Sequence, residues 1–284
     1  MKKLRVLFLA VVLAGAMTGC LSTSKDSKVD TKVEEKDTSS DSAGKEKEKE
    51  TQEETEESQP QATTGAKFRE TAAVYVSDDA AAVLENLDTD YTKIAWGVIY
   101  TPSEDEGPII SIAPYFDGEN YFIVIGVTNL YDKDIKFEAS GYAKDAQDEN
   151  VGNIDIKIGN IGAGGDTAIY CAPCEAGSTG AIHWDGMSFE ESKSQRVNWE
   201  SDWALGQAED GSIGINYMID GEEEMSAVKV SALVLDEDGF IIGFGESDDA
   251  KIDGNTAIGA IDFHTKEFNG TVADGALFAN PVKK

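Results

Sequence analysis

Ala227-Val228-Lys229-Val230-Ser231-Ala232-Leu233-Val234-Leu235 is followed by Asp236-Glu237-Asp238-Gly239 and then by Phe240-Ile241-Ile242-Gly243-Phe244. Two short runs rich in β-branched and apolar residues, separated by an Asp/Gly cluster, read as two strands joined by a hairpin turn. The same grammar recurs at 93–100, 108–115, 121–128, 135–143, 167–171, 211–219 and 256–263, each bounded by Gly, Asp or Asn. Several of these runs alternate with period two, which is the strand period. One helix candidate stands out at 78–87, where Asp78 or Asp79 would cap an Ala-rich turn. Many short strands with turn signals predict an all-β fold built as a sandwich.

The chain also repeats itself. Phe137-Glu138-Ala139-Ser140-Gly141-Tyr142-Ala143-Lys144-Asp145 aligns with 228–236, and the same register sets Gly152 against Gly243 and Ile161 against Ile252. After a slip of two residues, Gly165-Asp166-Thr167-Ala168-Ile169 aligns with Gly254-Asn255-Thr256-Ala257-Ile258. An offset of about 90 residues is the size of one immunoglobulin-like domain. The expected organisation is therefore two tandem immunoglobulin-like β-sandwiches, 67–193 with an N-terminal extension and 194–284.

The segment 232–239 resembles the FxLYD-type family of extracellular immunoglobulin-like modules on bacterial lipoproteins, in which a [Tyr/Leu]-Asp-x-[Asp/Asn]-Gly turn joins two strands. In the first copy, 142–147 lacks the glycine and has no aromatic residue directly before Asp145. The resemblance implies sandwich domains exposed at a cell surface, and it carries over no catalytic residue.

Upstream, Lys2, Lys3 and Arg5 precede an apolar run at 7–16 that is too short to span a bilayer. The run closes on Met17-Thr18-Gly19-Cys20. This ending resembles the lipobox of bacterial lipoproteins; an ordinary signal peptide (1–19) with an unrelated cysteine is the competing reading. The lipobox implies cleavage before Cys20 and a diacylglycerol on its thiol. Two acyl chains suffice for stable anchoring, at ~0.8 kcal/mol per buried CH₂. The expected location is the extracytoplasmic face of the membrane, with Cys20 the sole point of attachment.

Residues 21–66 hold seven lysines, thirteen acidic residues and no aromatic residue. Such a composition cannot bury enough apolar surface to offset ordering entropy, so it predicts a disordered acidic tether. As a flexible coil it spans about 35–40 Å. The whole chain carries 54 acidic against 24 basic residues, a net charge of −30. That balance excludes a nucleic-acid binder and a basic patch for anionic lipid.

Cys171-Ala172-Pro173-Cys174 is the sharpest chemical motif. A redox centre would place it at the start of a helix, which the loop-like 175–180 does not offer. With Cys20 acylated, Cys171 and Cys174 are the two remaining thiols, and a structural disulfide between them is the leading expectation. Free thiols, a redox pair and a metal site completed by His183 and Asp185 are the alternatives. C-x₂-C-x₈-H is not a zinc-finger spacing, and no metal or other cofactor is expected. Asp236, Asp238, Asp248 and Asp249 lack the EF-hand spacing and read as turn residues. Trp184, Trp199 and Trp203, with Trp96, are candidates for a carbohydrate-stacking platform, against core packing as the plainer role. No nucleophile elbow, zincin helix or phosphate loop occurs. The expected function is a non-catalytic binding or spacer module facing an envelope protein or glycan. The alternative is a thiol-redox accessory or hydrolytic enzyme.

Deleting 21–66 is expected to leave the thermal midpoint of the strand-rich part unchanged in calorimetry. A large drop would show that the segment packs on it.

Overall fold

The computed structural model describes residues 75–76, 87, 89–102 and 107–283. The signal segment 1–19, Cys20, the tether 21–66 and the helix candidate 78–87 apart from Leu87 lie outside them. In chain order the elements are β1 (Tyr75–Val76), a single helical turn α1 (Thr89–Thr92), β2 (Val98–Tyr100), β3 (Ile109–Phe116), β4 (Tyr121–Thr128), β5 (Ile135–Lys144), β6 (Asn150–Ile161), β7 (Thr167–Cys174) and β8 (Ile182–Glu191). There follow β9 (Gln195–Arg196), β10 (Trp199–Gln207), β11 (Ile213–Gly221), β12 (Ala227–Leu235), β13 (Ile241–Ser247), β14 (Lys251–Asp253), β15 (Thr256–Asp262) and β16 (Asp274–Lys283). The expected all-β class is what the chain adopts.

Among the described residues four sheets form, with strand orders β6-β5-β8, β1-β2-β3-β4-β7, β13-β12-β16-β9 and β10-β11-β15-β14. In immunoglobulin lettering, β3, β4, β5, β6, β7 and β8 occupy positions A, B, C, C′, E and F. β10 to β16 repeat the series as A, B, C, C′, D, E and F. The sequence repeat thus has a structural meaning, since 137–145 and 228–236 are the two C strands with the start of the following turn, and 165–169 and 254–258 are the two E-strand entries.

The turns after the C strands are built alike. Asp145 Oδ1 accepts the N–H of Gln147 and of Glu149, as Asp236 Oδ1 accepts those of Asp238 and Phe240. The left-handed position is filled by Gly239 (φ 77°) in one copy and by Asp148 (φ 64°) in the other. Aspartate tolerates that conformation better than most side chains, so the missing glycine does not change the turn. At Gly239 a side chain would also strike the Lys93 carbonyl, 2.3 Å from an added Cβ. The segment 93–97 is not the strand its sequence predicts. It wraps under this turn, with Ala95 N–H donating to Gly239 O, and pairing begins at Val98.

The sheets stack as four layers with three apolar seams. Ile123, Ile125 and Val127 of β4 meet Phe137, Ile154 and Ile156 of the first outer sheet. Val228, Val230 and Leu277 meet Ile215, Tyr217 and Ile219 of the second outer sheet. Between the two inner sheets lies the third seam, where Ile109, Tyr115, Val124 and Ile169 contact Leu233, Leu235, Ile241 and Phe278. β3, β4 and β12 are therefore buried on both faces along most of their length, while β5 and β11 alternate.

Leu233→Ala is expected to cost about 2–5 kcal/mol and to lower a single calorimetric transition of the whole chain. A fragment covering 194–284 alone would expose Leu233, Leu235, Ile241 and Phe278, and is expected to lack cooperative melting. A native-like melt of that fragment would show that the central seam adds nothing.

Candidate functional site

The disulfide expected between Cys171 and Cys174 is not formed; both are free thiols. The strand does not end at Cys171 as the sequence suggests, but runs to Cys174, pairing Cys171 with Val124 and Cys174 with Tyr121. Residues three apart on a strand face opposite sides and lie about 10 Å apart, beyond the ~7 Å that a disulfide bridges. Accordingly Cys171 packs into the central seam and Cys174 into the first outer one. Burial pushes the Cys171 thiol upward, reinforced by Cys174, Glu246 and Asp117. Burial likewise pushes Cys174 up to about 12, opposed by its hydrogen bond with Ser178. A reactive thiol needs the reverse, a stabilised thiolate.

The tryptophans do not share a platform. Trp184 is half-buried over the first outer seam, and its indole N–H donates to Tyr100 Oη across the two sheets. Burial pushes the Tyr100 phenol up to about 12, partly offset by that bond. Trp199 and Trp203 stand on the inward side of β10 over the other outer seam, and Trp96 is buried in the central one beside Tyr91. Each caps or fills a core. His183 meets the Tyr142 ring at a tilt and lies 3.5 Å from Asp185 on the open surface. Among the described residues no three His, Cys, Asp or Glu side chains come together as a metal-holding group.

Sequence reasoning missed the polar cluster at the junction of the two copies. Arg196, on β9, donates from Nε and Nη2 to the two oxygens of Asp166 at 2.6 and 2.7 Å. Its backbone N–H donates to Asp134, whose other oxygen accepts the N–H of Ala163. Arg196 Nη1 reaches Asn198, which bonds Glu222 of the second copy. Asn129 sits alongside, fully buried, donating to the carbonyls of Lys133, Ile161 and Gly162. A bidentate Arg–carboxylate pair is a strong and directional contact. The available signal was composition, since Arg196 is the one arginine in 70–284. The cluster is consumed by structure and offers no free acid, base or nucleophile.

What remains are surfaces. A shallow depression of about 320 Å³ is lined by Glu223, Glu224, Met225, Ser226 and Lys283, with Lys283 paired to Glu223. The outer face of the β6-β5-β8 sheet carries an ion-paired ladder of two lysines and three acids, Lys136 with Glu190 and Glu138, and Lys157 with Asp155. The opposite end of the stack is acidic. Glu200, Asp202, Asp220, Asp253 and Asp262 are exposed there with Lys251, around an Ile258 that is 55% exposed. No known protein family matches the chain, and no curated protein or solved structure is significantly similar to it.

The buried acids of this fold give a pH prediction. Cys171, Cys174, Tyr91, Tyr100 and Tyr115 all have raised folded pKa values, burial being the largest cause in each. In the unfolded chain thiols ionise near ~8.5 and phenols near ~10. Above those values the unfolded state binds fewer protons than the native state, so stability falls as pH rises. Urea-melt stability is expected to be insensitive to these groups below about pH 8.5 and to decline steadily toward pH 12. Cys171→Ala/Cys174→Ala should delay the onset of that decline, and an onset unmoved by the double variant would contradict the burial argument.

Proposed function

We propose that this chain is a lipid-anchored module of a bacterial envelope, held outside the membrane at Cys20 and acting by binding rather than catalysis. The observation that carries the reading is the register of the N-terminus: basic residues, a short apolar run and Met17-Thr18-Gly19-Cys20, followed at once by the polar, aromatic-free 21–66. A lipidated cysteine plus a flexible spacer holds a folded unit clear of the headgroups while leaving it free to reorient.

The strand-built part suits display. Its cores are apolar and close-packed, and its strongest polar cluster is spent on the junction between copies. Among the described residues no helix is long and apolar enough to cross a membrane. The net charge of −30 keeps such a unit off anionic lipid and phosphate and favours a basic partner surface. The partner is an envelope protein or a glycan. The FxLYD-like turn at 232–239 supports the same assignment to extracellular modules.

The mature N-terminal peptide, analysed by mass spectrometry from cells producing the chain, is expected to begin at Cys20 and to carry the mass of a diacylglycerol. Labelled fatty acid should enter the wild-type chain and not Cys20→Ala. A wild-type chain that takes up no label would overturn the anchor and the location with it.

A further inference from the structure

Among the described residues the first sandwich has no G strand. In an immunoglobulin sandwich the F strand has C on one side and G on the other. β8, the F strand of the first copy, has β5 on one side and no strand on the other among the described residues. The chain leaves no room for a G strand there: β8 ends at Glu191, β10 starts at Trp199, and between them β9 pairs with β16. The F strand of the second copy is treated differently. Beside β16, β9 pairs with Val282 and Lys283, Val197 N–H donates to Pro281 O, and Leu277 N–H donates to the Asp90 carboxylate. Among the described residues one F edge is covered and its counterpart is left open.

We propose that the free edge of β8 is a strand-acceptor site. It takes an extended segment of a partner protein, antiparallel to β8, in which apolar residues alternate with Lys or Arg. The proposal rests on the reading that this unit is displayed to meet a partner, and it names where and how the partner binds.

Backbone geometry defines the accepting part. Ser192 N–H donates to Asp134 O, which marks that pair as hydrogen-bonded. By the alternation of an antiparallel ladder, the main-chain groups of Met187, Phe189 and Glu191 then point away from β5. A bulge at Asp185 interrupts the ladder, so the continuous accepting stretch is 186–191. Residues 182–191 contain no Pro, Lys or Arg, and the accepting stretch 186–191 lies clear of the bulge, with acids as its only charges. Such an edge binds a strand through main-chain hydrogen bonds, with alternate side chains setting specificity.

Side chains define the occupant. Met187 and Phe189 are half-buried at the rim of the first outer seam, with Phe189 stacked on Phe137 at 4.9 Å. An added strand would complete the cover over both, which calls for apolar residues on its inner side. On the outer side β8 presents Glu190, with Asp185 at the bulge, while Glu191, opposite Ile135, is exposed at the end of the inner side. Lys136 answers Glu190 at 2.8 Å and Lys133 lies 3.9 Å from Glu191, so this rim stays net acidic. A second copy of this chain would bring the same acids and a charge of −30 to the contact, which favours a basic strand over self-pairing.

The probe is a ten-residue peptide alternating Val and Lys, with a Val/Glu peptide as control, titrated against the full chain in detergent. Fluorescence anisotropy reports binding and hydrogen exchange reports the amides. The Val/Lys peptide is expected to bind, to weaken as salt rises, and to slow exchange at Met187, Phe189 and Glu191. Met187→Pro removes an outward N–H without touching the β5 ladder, and should reduce affinity at least tenfold with the melting curve retained. Should that variant not fold, Glu190→Lys/Glu191→Lys keeps the fold and should exchange the preference toward Val/Glu. Binding without protection at 187–191, or equal binding by both variants, would reduce the effect to general acidity and overturn the proposal. So would no binding, or a dimer of the unliganded chain with those amides already protected. None of these outcomes bears on lipidation at Cys20, which is read separately.

Discussion

Leu233, Leu235, Ile241 and Phe278 from one inner sheet close against Ile109, Tyr115, Val124 and Ile169 from the other, and this central seam sets the terms for the rest of the molecule. It requires strands apolar on both faces, a condition more familiar from parallel sheets than from antiparallel ones. It also joins unlike surfaces, since the A-B-E sheet of the first copy meets the C′-C-F sheet of the second. A head-to-tail contact of that kind can continue indefinitely unless its ends are blocked. Here they are blocked by charge. On the C strand, Tyr142 and Lys144 face solvent where their repeat partners Leu233 and Leu235 face the seam. At the other end the exposed acids around Ile258 do the same, much as polar capping repeats end a solenoid.

The seam fixes the sheets but not the path of the chain between them. That path is held by Arg196, which ties β9 to Asp166 at the E-strand entry and, through its own backbone, to Asp134. Asp166 is 9% exposed at its side chain, so removing Arg196 would strand a nearly buried carboxylate. With β9 pinned there, it lies along the far end of β16 and cannot extend β8. Among the described residues, the covered edge in the second copy and the open edge in the first follow from the same linker.

Chemistry in this fold is subordinate to packing. The C-x-P-C motif, which in sequence suggests redox work, falls on a continuous strand that separates its two thiols between two cores. The four tryptophans are distributed among three seams. Among the described residues the surface presents an unpaired strand edge at β8, an acidic face on the β10-β11-β15-β14 sheet and an ion-paired face on the β6-β5-β8 sheet.

The strand content was legible because side-chain alternation and turn residues are local. So was the repeat, whose two C strands and E-strand entries coincide in the fold; the first-copy turn was not, because its sequence lacks the glycine, and Asp148 fills that left-handed position instead. The sequence by itself also carried a clue to the central seam, since Ala232 to Leu235 and Ile123 to Val127 are runs without alternation. Such runs say that both faces are buried, and nothing in them names the surface that buries them. Tertiary structure alone decided that Cys171 and Cys174 sit on opposite faces, because this turns on where β7 ends, and an apolar stretch before a proline does not mark that. It alone decided that 93–97 leaves the sheet to support a distant turn, and that one arginine joins carboxylates 30 and 62 positions away. Pairings across such separations depend on which sheets meet, and that is a property of the assembled seams rather than of any one segment.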